Sequence, residues 1–200
     1  MTSTEKRVGN RRGFGGNLRE EIIAAAERLL EESGSRDAVT LRGIAREAGI
    51  AAPSIYPHFA DRDAILEVVI SRTFEKLAAA CASAADGARD GQDQLQAICL
   101  AYVTFARQHP GQYRILFERA ADNIAAPPHP YEAGIQAFTL LTQALASTPP
   151  APSASSDATA DAQVLFATLH GIAALPPALP GFPWQDEATL IHHAVAKIRP

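Results

Sequence analysis

Between Thr40 and Arg62 the chain carries side chains suited to one kind of chemistry, contact with a polyanion and the edges of its bases: Arg42, Ser54, Tyr56, His58 and Arg62. A guanidinium bonds a phosphate or a guanine edge, and a small, polar and aromatic mixture suits the floor of a DNA major groove better than a core. Such residues need a scaffold, and the spacing around them supplies one. Thr40 stands where its hydroxyl caps the free N–H groups of a helix beginning at Leu41. Leu41, Ile44, Ala45 and Ala48 then share one face of that helix. Gly49 permits the positive φ of a tight turn between steeply crossed helices, and Pro53 sits where the first turn of a second short helix tolerates a missing N–H. Ile55 and Phe59, four apart, face inward, which leaves Ala51, Ala52, Ser54, Tyr56 and His58 pointing out. The pattern is a helix-turn-helix.

The rest of the chain reads as helices that hold this unit. From Asn17, a candidate cap, to Ser33 an inward stripe of Ile22, Ala25, Ala26, Leu29 and Leu30 predicts a bracing helix, ended by Gly34. After Arg62, Ile65, Leu66, Val69, Ile70, Phe74, Leu77 and Cys81 predict a helix too long for the small unit alone, with DGARDGQ at Asp86 to Gln92 marking its far boundary. Asp93 to His109 places Leu95, Ile98, Cys99, Tyr102, Phe105 and Ala106 on one face, and Pro110 stops it. Residues 120–130 read as loop, a helix with Ile135, Phe138, Leu141 and Leu145 follows, and a Pro-rich stretch from Ser147 is a hinge or exposed loop. The last two helices, about Thr159–Leu175 and Gln185–Ile198, carry apolar faces wider than one small bundle needs. The expected fold class is all-α.

Composition bounds the function. The 200 residues are 47% apolar with a net charge of −4, yet residues 1–72 balance to zero, so the acidic excess lies beyond them. Lys6, Arg7, Arg11 and Arg12 against Glu5 make the N-terminal tail basic, either a solubilising tail or an arm onto phosphates or into a minor groove. No apolar run approaches the 18 or so residues that cross a bilayer, so the expectation is a soluble, cytoplasmic chain. Cys81 and Cys99 lack a metal-ligating neighbour and read as small buried hydrophobes, while adjacent His192 and His193 point to different helix faces. With no phosphate-cradling glycine loop and no Gly-x-Ser-x-Gly elbow, no enzyme, cofactor or metal is expected. Tyr102, Phe105, Tyr113, Phe117 and Phe138 form an aromatic set that suits core packing or the lining of an apolar pocket, and His170 suits a hydrogen-bonded core position or the same pocket.

The run AGIAAPSIYPHFADRDAIL resembles the signature of TetR/AcrR-type bacterial regulators, and the stretch from Arg12 to Phe74 is similar to that family's whole N-terminal domain. Ala51 departs from the usual capping Ser or Thr, and Arg62 replaces the usual Lys with its charge kept. By resemblance, Thr40, Tyr56, His58 and Arg62 hold phosphates, whereas Arg42, Ala52, Pro53 and Ser54 face bases. PGQYRILFE resembles a segment of such regulators with Tyr113, Leu116 and Phe117 inward; FATLHG at Phe166 to Gly171 resembles a Trp-x-x-x-His-Gly motif of one branch, with Phe166 in place of Trp. The resemblance implies an arm at 1–16, a helix-turn-helix domain at 17–62, a connecting helix at 63–85 and an effector-binding and dimerisation domain at 86–200. It further implies a homodimer through the last two helices, a palindromic double-stranded operator, and a repressor released by a small, largely apolar ligand held by the aromatic set and His170. The competing class is a helical dimer that binds a small molecule or protein partner without reading DNA, supported by Ala51 and the neutral balance of residues 1–72.

Overall fold

A computed structural model describes residues 15–117, 132–148 and 157–198. The basic arm with Arg11 and Arg12, the loop at 120–130 and most of the Pro-rich stretch after Ser147 lie outside the described residues. Among those described there are eight α-helices and no strand: α1 Gly15–Ser33, α2 Leu41–Ala48, α3 Arg62–Asp86, α4 Gly91–Gln108, α5 Pro110–Ile115, α6 Glu132–Ser147, α7 Ala158–Ala178 and α8 Glu187–Ile198. The first begins two residues ahead of Asn17, at Gly15. The last begins after Asp186, whose carboxylate accepts from the Thr189 N–H at 3.0 Å and caps it.

The N-terminal helices converge on fully buried Ile22, Leu30, Ile44, Ile55, Ile65 and Leu66. Ion pairs tie α1 to its neighbours at the rim: Arg28 to Glu47 of α2 at 2.6 Å, and Arg72 and Lys76 of α3 to Glu20 and Glu27 at 2.6 and 2.8 Å. Each is exposed and worth a fraction of a kcal/mol, so the apolar stripe carries the packing and the pairs set its register.

Helix α3 packs against α1 and, along its length, against α4 and α6. It therefore belongs to both ends of the molecule. A second joint lies at α5, where a Cβ added to Gly111 would collide with the Leu30 carbonyl, and the Gln112 N–H donates to Glu31 at 3.4 Å. Of the described helices α7 alone has the length and composition of a membrane-crossing segment. One face of it, with Ala162, Leu165, Leu169 and Ile172, is packed into the core, and Asp161, Gln163 and His170 interrupt its apolar run.

Candidate nucleic-acid interface and apolar cavity

Helix α2 forms as its residues dictate. The Thr40 hydroxyl accepts from the Gly43 N–H at 3.0 Å, and Ile44, Ala45 and Ala48 are buried. Its end is a Schellman turn: Gly49 adopts φ +68° and donates to Arg46, while Ile50 donates to Ala45 at 2.9 Å. Arg42 and Arg46 stay exposed.

The second element differs from expectation. In place of a short α-helix, Ala52–Ser54 form a 3-10 turn that runs on into further turns up to Ala60. Two residues account for this. Ala51 offers no side-chain cap, and Pro57 has no N–H to give the Pro53 carbonyl, against which its ring would also clash in an α-helix. The backbone instead closes with Ser54 donating to Ala51 at 2.9 Å, Ile55 to Ala52 at 3.1 Å and His58 to Ile55 at 2.9 Å. The turn is still pinned from beneath, since Ile55 and Phe59 are buried and the Arg19 guanidinium lies 5.0 Å from the Phe59 ring centroid.

This geometry places Thr40, Arg42, Pro53 and Tyr56 in the open, Tyr56 with 60% of its surface exposed, and Ala52, Ser54 and His58 half-buried among them. Arg62 opens α3 beside them, the Nε and Nη2 edge of its guanidinium donating to Asp63 at 3.2 Å. Desolvation alone would raise the Asp63 pKa, but the Arg36 hydrogen bond and the charges of Arg62 and Arg36 outweigh it and hold the carboxyl below the usual carboxylate range.

A cavity of about 460 Å³ lies among α3, α4, α6 and α7. Its wall on α3 is Phe74, Leu77 and Cys81; the remaining lining includes Tyr102, Phe117, Phe138 and Phe166, with Gln163 among its few polar groups. The Phe166 ring is the hub of the aromatic set, its centroid 6.1 Å from those of Tyr102 and Phe117 and 6.2 Å from that of Phe138. Such a space, apolar with few polar atoms, suits a small ligand of the same character.

Three residues expected on this cavity are elsewhere. Phe105, one turn along the buried face of α4 from Tyr102, is not part of the cavity lining and packs against His109 at 4.9 Å. Tyr113 and His170 line a separate groove with Phe117 and with Glu31 and Glu32 at the end of α1. Their hydroxyl and imidazole complete a chain: Tyr102 Oη to Tyr113 Oη at 2.9 Å, and Tyr113 Oη to His170 Nδ1 at 2.8 Å. Burial lowers the His170 pKa and favours the neutral ring; it raises Tyr113 to about 12 and Tyr102 well above the ordinary tyrosine value. With the imidazole proton on Nε2, Tyr113 donates to Nδ1 and accepts from Tyr102. Phe74, Leu77 and Cys81 read in the sequence only as a core stripe; their spacing is the same whether the face across from them is filled or hollow. Burial likewise raises the thiols of Cys81 and Cys99 to about 12, far from the reactive thiolate form.

Residues 22–69 match the model for bacterial regulatory proteins of the tetR family, and residues 95–197 match the tetracyclin repressor-like C-terminal domain. Curated relatives include the nucleoid occlusion factor SlmA of Vibrio cholerae serotype O1, 27% identical over 100 residues, 50% of this chain and 51% of that one. Another is the HTH-type transcriptional activator FasR of Mycolicibacterium smegmatis, 26% identical over 128 residues, 59% of this chain and 58% of that one. The chain thus spans about half the length of the curated relatives it matches. Among solved structures, a Rhodococcus sp. RHA1 protein whose function is unknown superposes with a TM-score of 0.77 at 29% identity, covering 94% of this chain and 97% of that one. The TetR family regulator PfmR of Thermus thermophilus shares the fold, with a TM-score of 0.62 at 15% identity over 90% of this chain and 92% of that one.

Proposed function

The chain belongs to the TetR family of bacterial DNA-binding transcriptional regulators, and from that premise we propose that it is a repressor released from its operator by a small, largely apolar ligand. The observation that carries this reading is the cavity of about 460 Å³ whose wall includes Phe74, Leu77 and Cys81. These belong to the same helix, α3, that begins at Arg62 beside the DNA-reading turn. A ligand that prefers one placement of α3 biases the placement of the turn, and its differential affinity sets how far operator occupancy falls.

On the DNA side, Thr40, Tyr56, His58 and Arg62 hold phosphates, and Arg42, Ala52, Pro53 and Ser54 face base edges. Ala52 and Pro53 have no side-chain hydrogen bond to offer, so sequence preference rests on Arg42 and Ser54, with thymine methyls or groove shape read by the other two. Tyr102, Phe117, Phe138 and Phe166 surround the ligand. Two copies pair through α7 and α8, where Val164 and Leu175 are exposed, and present their turns to a palindromic operator.

The test is a duplex selected by the purified chain from a random library, followed by anisotropy over a salt series and titration with a panel of small apolar compounds. A compound present at about 100 times its Kd stabilises the native state by ~2.7 kcal/mol, which raises the melting temperature by roughly 5–11 °C for a chain of this size. We expect such a compound to weaken operator binding, and the cavity-filling Ala137→Phe variant to lose that response while still binding DNA. A compound that stabilises the protein at saturation without changing operator affinity disproves the switch. Because FasR is named as an activator, a reporter assay with and without the compound decides the sign of regulation.

A further inference from the structure

One carboxylate oxygen at the start of α3 serves two guanidinium groups. Asp63 Oδ1 accepts from Arg36 Nη2 and from both Nε and Nη2 of Arg62, each at 3.2 Å. The two arginines are not equivalent. Arg36, in the 3-10 turn that precedes α2, is only 8% exposed, and its Nε and Nη1 have no partner among the described residues. Its remaining nitrogen spends its charge on Asp63, and a buried charge that loses its partner is costly. Asp63 is therefore held from the protein side. The Arg62 side chain is one-third exposed, bonded to its own neighbour, and can swing away without leaving a buried group bare.

We propose that Asp63, anchored by buried Arg36, is an internal stand-in for a DNA phosphate: it holds Arg62 back along α3, and a backbone phosphate must take the guanidinium from it. The carboxylate thereby attenuates DNA affinity. This rests on the reading of Arg62 as a phosphate contact. Arg36 and Asp63 are positioning residues, and they act on DNA only through Arg62. The size of the effect follows from the worth of an exposed pair, about 1.5- to 5-fold in affinity for each half-site. The salt dependence changes too, because the Asp63 carboxylate, 54% exposed and then held by a single Arg36 nitrogen, takes up part of a counterion when Arg62 leaves it. Without the carboxylate the slope of log K against log salt steepens by up to ~0.9 for each half-site.

Anisotropy of the full chain on its library-selected duplex, across a salt series, tests this with two variants of opposite sign. Asp63→Asn should bind several-fold tighter, with a steeper slope. Arg36→Met should bind more weakly, because the whole carboxylate is then available to Arg62, and the double variant should resemble Asp63→Asn. A role in stability alone would move the melting temperature of both variants downward and give no opposite signs in affinity. If Arg36→Met does not fold, Asp63→Asn in an Arg62→Ala background replaces it, and the gain should vanish there. Selection of a duplex by the native chain, with Asp63→Asn no tighter and its slope unchanged, overturns the proposal and leaves the DNA reading standing. Failure of the native chain to prefer any duplex at any salt overturns both.

Discussion

His170 shows how the surroundings of a single residue are set by what crosses the fold to meet it. In the sequence it suits either a ligand pocket or a hydrogen-bonded core position. The structure gives it the hydroxyl of Tyr113, 57 positions away, and an edge contact with Phe117 at 4.5 Å. Because burial lowers its pKa, the unfolded chain binds more protons than the native one between the native value and about 6.5, the ordinary histidine value. The sign follows: this contribution to stability is present above pH ~6.5 and is lost as the pH falls below it. Urea midpoints measured at pH 7.5 and 5.5 should therefore drop for the native chain and drop less for His170→Gln, which keeps an acceptor for Tyr113 and cannot titrate. Equal drops in both proteins would place the acid sensitivity elsewhere.

At the level of elements, legibility tracks the range of the interaction responsible. The cap at Thr40, the glycine turn at Gly49 and the buried faces of α1 to α4 depend on residues within a few positions; the cap and turn are found as read, and the faces are too except that Leu29 and Leu41 are only partly buried. The second helix of the reading unit departs from its pattern at Pro57, whose missing N–H is as local a signal as any and outweighs the helical spacing of Ile55 and Phe59. Gly111 belongs to the other class. Within PGQY nothing marks it, yet only a glycine lets α5 lie against the backbone of Leu30 and so joins the end bearing α1 to the helices around the cavity. Adding one methyl there forces the two elements apart. Gly111→Ala should cost about 1–3 kcal/mol of overpacking, seen as a melting temperature roughly 2–12 °C lower. It should also weaken the response of DNA binding to ligand more than it weakens ligand binding itself. A variant with native melting and native response would mean that α5 shifts freely and is no joint.

For the whole molecule the question is what covers α7. Leu165, Leu169 and Ile172 on one side are within the core, but Val164 and Leu175 on another are 58% and 44% exposed, with Thr168 and Gly171 between them at helical spacing. A stripe that is apolar at its ends and small in its middle lets another helix approach closely along its length. Further apolar surface, Leu179 and Phe182, continues beyond the helix, with Phe182 packed on Trp184 at 4.4 Å. The sequence shows this as apolar excess on the last two helices; it does not show which face the subunit's own core consumes. If a second copy covers the rest, the two turns are held as one rigid pair and engage half-sites about one helical turn, roughly 34 Å, apart. Val164→Arg puts a charge into that stripe and leaves the internal core untouched. We expect sedimentation of this variant to give half the mass of the native species. Operator affinity should fall by about 10²- to 10⁴-fold, the advantage that linking two weak half-site contacts confers. Preference for the same half-site sequence should survive, because the reading turn is unaltered. A variant that sediments as the native protein does would move the subunit contact off this face of α7, and half-site spacing would then have to be derived from another surface.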